Sequence, residues 1–599
     1  ALKWPVQGSS QIRNPCFQLY HRITSDLDSH DLHQGKLGNC WFVAACSCLA
    51  LRENLWRKVI PDAKEQDWDR KRPEKYTGIF HFQFWCFGEW TDVVIDDRLP
   101  TMNNELIFCH SNDRNEFWCA LLEKAYAKMA GCYEALDGGS TAEAIVDFTG
   151  AVAESIDLSE SNYSCNIIEQ AKLFEDLLKV HRRGGLISCY ITPSSSRDFE
   201  GQTETGLIKG HAYSVTAVVR MSLGDKLLSC TKSNKLFMIR LRNPWGKKEW
   251  IGAWSDESEE WKKVSRAERK KLGLTIENNG EFWMTFEDWC KNFTDVDICR
   301  IVNTSLFSIH KTWEKRMMYG QWTKNPDPLL DRSGGCFNNK ATFLQNPQYA
   351  FDVKKAEDKV LVSLQQKDRR IHKKDGTGGK SSSALKSSRQ VEDNRECLMH
   401  KLKIQEKVAT SAYIDSRMVF LRVLLKQGRY VLIPTTFSPG IEAEFILRLF
   451  TDVPSKLREL QRHKPWLRCL DVLCGIPRRV TQTKVHEVGG LQSGANPYVI
   501  VKCENSTVRS PAQKGKTSAI FNTLAIFYRR KVRQPILIQV WHRHAFGDRF
   551  LGEVRLVASP GDSRERQTLP LQDRRRGEAD QLLGHLTVQV LSSDDFLEL

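Results

Sequence analysis

Residues 40–50 (Cys-Trp-Phe-Val-Ala-Ala-Cys-Ser-Cys-Leu-Ala) would form a helix that is apolar on nearly every side. Such a helix is stable only when protein surrounds it, so it requires a sizeable core. The polar loop before it contains Gly35 and Gly38, and Cys40 falls in the first helical turn. Free backbone N–H groups and the positive end of the helix dipole stabilise a thiolate at that position. We therefore predict a buried helix that begins with a nucleophilic cysteine.

Gln34 lies six residues before Cys40 and could donate an amide N–H to an oxyanion formed at the cysteine. The alternative is that Cys40 is simply a small core residue, because buried free cysteines are common. The glycine-punctuated loop and the Gln-x5-Cys-Trp spacing favour a nucleophile, provided that a histidine partner exists.

Length and composition limit the other possibilities. At 599 residues the chain predicts several domains. Its net charge of 88 − 73 = +15 makes acidic surfaces such as phospholipid headgroups plausible partners, but no recognised motif supports binding of nucleic acid. The 18 cysteines lack the spacing of a small disulfide-rich domain, which predicts a reduced, intracellular protein. We expect it in the cytoplasm, with the nucleus or a peripheral membrane position as alternatives.

The histidine partner is expected in the strand-like segment 210–219, which contains His211. A second alternating segment, 235–243, ends in Asn243. If the two strands form an antiparallel hairpin, His211 and Asn243 become cross-strand neighbours about 5 Å apart. The amide oxygen of Asn243 could then hold the imidazole tautomer. The chain order Cys…His…Asn is that of papain-like cysteine proteases.

Three segments around these residues resemble the protease core of the calpain family. They are Gln34-Gly-Lys-Leu-Gly-Asn-Cys-Trp, Gly210-His-Ala-Tyr-Ser-Val and Arg242-Asn-Pro-Trp-Gly. The resemblance extends through the chain and fits the members that end in a C2 domain. No Asp-x-Asp-x-Asp-Gly loop occurs, so we expect neither a penta-EF-hand domain nor an EF-hand small subunit as a partner.

The resemblance implies a multidomain α+β architecture. A papain-like two-lobe protease core, with lobes at 1–140 and 141–302, would precede two all-β C2-type sandwiches at 303–455 and 474–599. Short alternating strands in the C-terminal half agree with sandwiches. The stretch 366–392, rich in Lys, Arg, Gly and Ser, is predicted to be a flexible loop.

Calpains bind Ca²⁺ in each lobe of the core, and the resemblance assigns ligands by position. The first site would use Asp31 and Glu116 with backbone oxygens near Thr24 and Asp26. The second site would use Glu249, Asp256, Glu281 and Asn279, with Glu277 nearby. Asn279 stands where the family usually has Asp, so the second site carries one charge less. Without the resemblance, solvated surface charge would be the simpler interpretation of these scattered residues.

The terminal C2-type domain departs from calcium-binding C2 domains. In the first of the two loops that bind calcium in many C2 domains, Gly490 and Asn496 replace the usual Asp pair. The second loop contains His542, His544 and Arg549 where carboxylates would be needed, so the domain should not bind calcium in the usual way. The basic stretches 528–533 and 574–576 could attract anionic phospholipid membranes, although an ordinary solvated face is equally plausible.

Together these features predict a calcium-regulated cysteine endopeptidase that makes limited cuts in protein substrates. Cys40 would attack the scissile carbonyl, His211 would carry the proton and Asn243 would orient His211. Gln34 and the Cys40 N–H would stabilise the oxyanion, and Trp245 would shield the Asn–His pair. One alternative is a catalytically silent scaffold that binds membranes or partners through its C2-type domains. Another is a transglutaminase-type acyltransferase, whose third residue would be Asp rather than Asn243.

Overall fold

The fold is available as a computed structural model of the chain. It describes residues 12–13, 32–67, 71–103, 105–113, 116–159, 163–222, 235–274, 276–277, 279–302, 313–370, 382–389, 394–401, 406–465, 479–544, 547–561, 565–573 and 581–598.

The chain divides into two compact units. The first contains residues 1–312 and 367–380, and the second contains residues 313–366 and 381–599. Residues 367–370 therefore belong to the first unit by their contacts, although in sequence they follow a strand of the second. The part of the chain that the structure describes contains no helix long and apolar enough to cross a bilayer.

The helices described belong to the first unit. They are α1 (Cys40–Ala50), α2 (Glu53–Val59), α3 (Ala63–Gln66), α4 (Trp118–Ala130), α5 (Thr141–Thr149), α6 (Ile167–Arg182), α7 (Arg266–Leu272) and α8 (Phe286–Asn292).

Helix α1 begins at Cys40, as predicted, and every residue from Trp41 to Ala50 is buried. Its apolar circumference is accommodated because α5 packs along one side and sheet strands along another. Helix α4 ends at Gly131, whose φ of 99° a glycine adopts at little cost.

The strands of the first unit are β1 (Ile12–Arg13), β2 (Leu32–His33), β3 (Ile79–Cys86), β4 (Glu89–Asp96), β5 (Leu99–Met102), β6 (Glu105–Leu106), β7 (His110–Ser111), β8 (Val152–Asp157), β9 (Leu186–Tyr190), β10 (Ala212–Ser222), β11 (Lys235–Arg242), β12 (Glu281–Thr285) and β13 (Asp295–Arg300). Six of them form one antiparallel sheet in the order β12-β11-β10-β9-β13-β8. The antiparallel pairing of β10 with β11 confirms the predicted hairpin partners.

The six-stranded sheet carries a large apolar core. Phe174 and Leu177 of α6 and Trp289 of α8 are fully buried against strand residues such as Val215 and Ile239. Because both strand and helix side chains are excluded from water, this core holds the ends of β10 and β11 in fixed positions.

The second unit is all-β in the described residues, apart from short 3₁₀ turns. Its strands are β14 (Glu314–Trp322), β15 (Gln348–Gln366), β16 (Ser383–Arg389), β17 (Glu406–Thr410), β18 (Met418–Thr436), β19 (Ala443–Thr451), β20 (Arg458–Leu460), β21 (Arg479–Gly489), β22 (Pro497–Cys503), β23 (Ser506–Arg509), β24 (Ala519–Arg529), β25 (Ile536–His542), β26 (Arg549–Leu556), β27 (Gln567–Gln572) and β28 (Gln581–Ser593).

One sheet has the order β14-β19-β15-β18-β16-β17, with β20 beside β15. The prediction that 366–392 is entirely a loop is wrong, since β16 lies within it and pairs with both β17 and β18. Pairing on two sides satisfies the backbone of this polar segment, so tertiary context overrides its composition. β15 and β18 are each one long strand, because a bulge between Val353 and Glu357 keeps them paired.

The other sheet has the order β23-β22-β25-β26-β27-β28-β21-β24. Side chains from all eight strands meet in one large apolar cluster, so the sheet folds over itself around a shared core. A smaller cluster of Val480, Ile526 and Leu591 is also buried in this sheet. Arg529, predicted to face lipid as part of the basic stretch 528–533, is instead fully buried and donates to the carbonyls of Ala558, Val532 and Gln534. The other predicted basic stretch, 574–576, lies outside the described residues.

Candidate active site

Cys40 is the first residue of α1, and its thiol lies against the backbone N–H of Ala212, the residue that follows His211. Burial raises the pKa of the thiol, and the hydrogen bond from Ala212 only partly offsets this effect. The sequence analysis expected the helix terminus to favour a thiolate. In this structure desolvation is the larger influence, so Cys40 is a neutral thiol at pH 7.

His211 and Asn243 form a buried hydrogen bond, with 2.8 Å between Nε2 of the imidazole and Oδ1 of the amide. The amide is fixed on both sides, because its Oδ1 also accepts from the Trp245 N–H and its Nδ2 donates to the Lys248 carbonyl. Since Oδ1 can only accept, Nε2 of His211 carries the hydrogen. Nδ1 is then an acceptor, and no described residue donates to it.

Burial lowers the pKa of His211 to about 4, and the hydrogen bond to Asn243 opposes this only in part. The imidazole is therefore neutral at pH 7. Trp245 contributes to this dry environment, since its ring lies 4.5 Å from the His211 ring between centroids. A neutral imidazole with a free Nδ1 is a competent proton acceptor.

Gln34 packs beside the same tryptophan. Its Oε1 accepts from the Trp245 indole N–H at 3.0 Å, while its Nε2 donates to the Leu37 carbonyl at 2.7 Å. Its backbone N–H donates to the Pro244 carbonyl. The side chain thus joins the loop before α1 to the segment after β11, and its role as an oxyanion donor stays a prediction.

Sequence reasoning missed a buried carboxylate behind the cysteine. Glu123 of α4 accepts from Asn39 Nδ2 at 2.6 Å and from the Cys109 N–H at 3.0 Å. Burial raises the pKa of Glu123 to about 7, and these two donors lower it only in part. The sequence did contain a signal for this buried carboxylate, because Glu123 is a charged residue on the apolar face of α4.

Comparison with known proteins identifies the family of this chain. This chain is 56% identical over 570 residues to calpain-5 of Mus musculus, and the match covers 95% of this chain and 89% of that protein. The chain belongs to the calpain family. The calpain family cysteine protease model matches residues 9–300, and the model for domain III of the calpain large subunit matches residues 318–450.

More distant calpains also match. Calpain-5 of Caenorhabditis elegans is 37% identical over 598 residues, covering 96% of this chain and 90% of that protein. Human calpain-9 is 39% identical over 459 residues, and the match covers 75% of this chain and 61% of that protein. Among solved structures, a C2 domain of plant extended synaptotagmin 1 matches 20% of this chain and 95% of its own at 21% identity, with a TM-score of 0.18.

The calcium ligands that the calpain resemblance assigns to the first site are only partly described. Asp31, Thr24 and Asp26 lie outside the described residues. Glu116 is described, and its Oε2 accepts from the Ser111 hydroxyl at 2.7 Å.

The residues assigned to the second calcium site lie close together. Asp256 Oδ2 accepts from the Glu277 N–H, and Glu249 Oε1 accepts from the Gly280 N–H. Burial and then the neighbouring charge of Glu249 raise the pKa of Asp256 to about 7. Burial likewise raises the pKa of Glu249, and the charge of Glu281 adds to this.

Two other contacts bear on this site. Glu281 forms an ion pair with Arg240 at 3.2 Å, and Asn279 Oδ1 accepts from the Glu281 N–H. Within the described ranges, no three His, Cys, Asp or Glu side chains are arranged to hold a metal ion. The donors are all oxygen atoms, and the mutual repulsion of the carboxylates would be relieved by a hard cation, so their chemistry fits Ca²⁺.

Proposed function

We propose that this calpain is a calcium-regulated cysteine endopeptidase with Cys40, His211 and Asn243 as its catalytic residues. The observation that carries this proposal is the buried His211–Asn243 hydrogen bond, which leaves His211 Nδ1 without a described donor. The thiol of Cys40 accepts from the backbone N–H of Ala212, the residue that follows His211. This is the relationship that a Cys–His–Asn mechanism requires, in a papain-like core of two lobes.

In the first step, Cys40 Sγ attacks the scissile carbonyl carbon while His211 Nδ1 takes the thiol proton. The tetrahedral intermediate collapses, and His211 returns the proton to the leaving amine as the C–N bond breaks. Water then attacks the thioester with His211 as the base, which releases the acid product and restores the thiol. Asn243 holds the imidazole in the orientation that keeps Nδ1 toward the sulfur.

Because the resting pair consists of a thiol and a neutral imidazole, proton transfer has to accompany attack. The developing imidazolium would be stabilised by Asn243 Oδ1, and the oxyanion by the Cys40 N–H together with Gln34. Both N–H groups of the Gln34 amide can donate, so its bond to Leu37 leaves one of them for substrate.

One calcium site would be formed by the carboxylates of Glu249, Asp256 and Glu281 together with Asn279. The other site would include Glu116 and Asp31. Bound Ca²⁺ would supply positive charge to a group of carboxylates that otherwise repel one another. Burial raises the pKa of Asp256, and a bound cation would oppose this effect because it favours the ionised carboxylate.

The second unit is proposed to bind anionic phospholipid through its C2-type sandwiches. The support is a cleft of about 1080 Å³ whose walls include one carboxylate, Asp352, and five basic side chains, Lys354, Lys426, Arg429, Arg509 and Arg543. Arg429 is paired with Asp352, and Asp548 accepts from Arg509. The excess of cations over carboxylates on these walls favours phosphate groups.

The protease assignment is tested with purified full-length protein, calcium and a fluorogenic protein substrate. Cys40→Ala and His211→Ala should each abolish cleavage, because triad members act as a unit. Cys46→Ala is the matched control, since Cys46 lies on the same helix and is fully buried. Cleavage that persists in Cys40→Ala would refute the assignment. A wild-type protein that labels at Cys40 but cleaves nothing would favour the scaffold alternative.

A further inference from the structure

Arg370 reaches the protease region from outside the part of the chain that the protease model matches. It follows β15 in the segment 367–370, which belongs to the first unit by its contacts. Its side chain is only 9% exposed. In the same segment, Lys367 Nζ lies 5.8 Å from the Phe87 ring centroid, so two cationic side chains of this segment contact aromatic rings of the first unit.

The guanidinium of Arg370 contacts three groups at once. Its central carbon lies 4.4 Å from the Trp41 ring centroid. One terminal nitrogen lies 3.2 Å from Glu143 Oε2, and the other donates toward the Gly138 carbonyl at 3.5 Å. Only a planar group with several donors can stack on a ring and bond to two acceptors together, and lysine lacks that plane.

Glu143 is almost completely buried, with 1% of its surface exposed, on the first turn of α5. A buried carboxylate needs a close cation or strong donors, since removing its partner leaves an uncompensated charge. Arg370 supplies the cation. Because α5 packs along α1, this ion pair also anchors the helix beside the cysteine.

Trp41 is the residue after Cys40, and the rest of its surroundings are already filled. Its indole N–H donates to the Leu136 carbonyl at 3.0 Å. Gly139 approaches the ring so closely that a Cβ there would lie 2.4 Å from a ring carbon. Arg370 therefore completes the enclosure of a side chain whose position determines where the first turn of α1 lies.

We infer that Arg370 is a positioning residue for Cys40, which acts by holding Trp41, the Gly138 carbonyl and Glu143 in one arrangement. This inference rests on the proposed function. It means that the protease site is completed by a side chain inserted from the sequence region of the following domain. A misplaced first turn would shift the sulfur relative to His211, and displacements of this kind slow the chemical step more than they weaken substrate binding.

The test compares Arg370→Ala, Arg370→Lys and the exposed neighbour Arg369→Ala as a control, all in the full chain. Two quantities are measured: the rate at which an epoxide thiol inhibitor labels Cys40, and kcat and KM for a peptide substrate. Arg370→Ala should slow both labelling and kcat by about tenfold while KM changes less than about twofold. Adding ethylguanidinium should restore part of the lost rate, while Arg369→Ala behaves as wild type.

Arg370→Lys keeps a cation near Glu143 but cannot stack as a plane on Trp41. It should melt at nearly the wild-type temperature yet label Cys40 about threefold more slowly. Wild-type labelling rates in Arg370→Lys and in folded Arg370→Ala would overturn the inference, as would a change confined to KM. Labelling needs no turnover. If the wild type proves inactive as a protease, the labelling ratio still decides the role of Arg370, and the two failures stay distinguishable.

Discussion

The side-chain nitrogen of Asn39 lies 2.6 Å from Oε1 of Glu123, and both residues are buried. Asn39 directly precedes Cys40, and its carbonyl accepts from the N–H groups of Phe42 and Val43. The start of the helix that carries the cysteine is thus tied to a carboxylate on α4. Because water is excluded, the strength of this hydrogen bond depends on whether Glu123 is protonated.

The first prediction concerns the pH dependence of stability. The pKa of Glu123 is about 7 in the folded state and 4.5 when exposed, so between these values the folded state binds the additional proton. The free energy of unfolding should therefore fall as pH rises through this window. The contribution is at most about 3 to 4 kcal/mol, at about 1.4 kcal/mol for each pKa unit.

The measurement is the melting temperature from pH 5 to 8 for wild type and Glu123→Gln. Asp256 and Asp297 also have a raised pKa, so only the difference between the two profiles reports Glu123. The variant should lose part of the downward slope. Parallel profiles would mean that Glu123 does not titrate in this range.

The second prediction concerns the reactivity of Cys40. With the pKa of the thiol raised and that of His211 lowered to about 4, no thiolate–imidazolium pair forms in the resting protein. Alkylation of Cys40 by iodoacetamide without calcium should therefore be slow at pH 6 and keep rising above pH 8. Site-specific labelling, read by mass spectrometry, gives this profile, and Cys165, an exposed cysteine, serves as the internal reference. A plateau already reached at pH 6 would show that the ion pair exists.

The third prediction concerns calcium. Asn279→Asp adds a carboxylate beside Glu281 while keeping the oxygen that accepts from the Glu281 N–H. We expect this variant to reach half-maximal activity at a lower calcium concentration, because calcium prefers charged oxygen ligands. Asn325→Asp, which makes the same change in the second unit, is the control. An unchanged or higher midpoint in Asn279→Asp would show that residue 279 does not limit calcium binding.

The fourth prediction concerns membranes. Full-length protein should co-sediment with vesicles containing phosphatidylserine at low salt, without calcium, and dissociate as salt rises, because each basic group contributes about 1 kcal/mol that is screened over a Debye length. Replacing Lys426 and Arg543 with Gln should weaken binding, since both line the basic cleft. The same replacement at the exposed Arg316 and Lys359, which lie on β14 and β15 outside that lining, is the control. Binding that requires calcium would contradict this prediction.

Local sequence determined the elements that carry the candidate site. The apolar run after Cys40 predicts α1, because only a helix surrounded by protein tolerates that composition. Alternation in two segments predicts the β10–β11 pair that brings His211 to Asn243. Both signals depend on residues close in the chain, so they can be recognised without knowing the rest of the fold.

The tertiary structure decided which of the remaining polar residues are buried and what they contact. Ser383–Arg389 becomes a strand because β17 and β18 pair with it, and Arg529 is buried because three carbonyls receive its donors. Glu123 meets Asn39 across 84 positions of sequence, and Arg370 meets Glu143 across 227. The net free energy of such contacts is the balance between the cost of removing polar groups from water and the gain from pairing them. The partners come from distant segments, so no local pattern in the sequence encodes this balance.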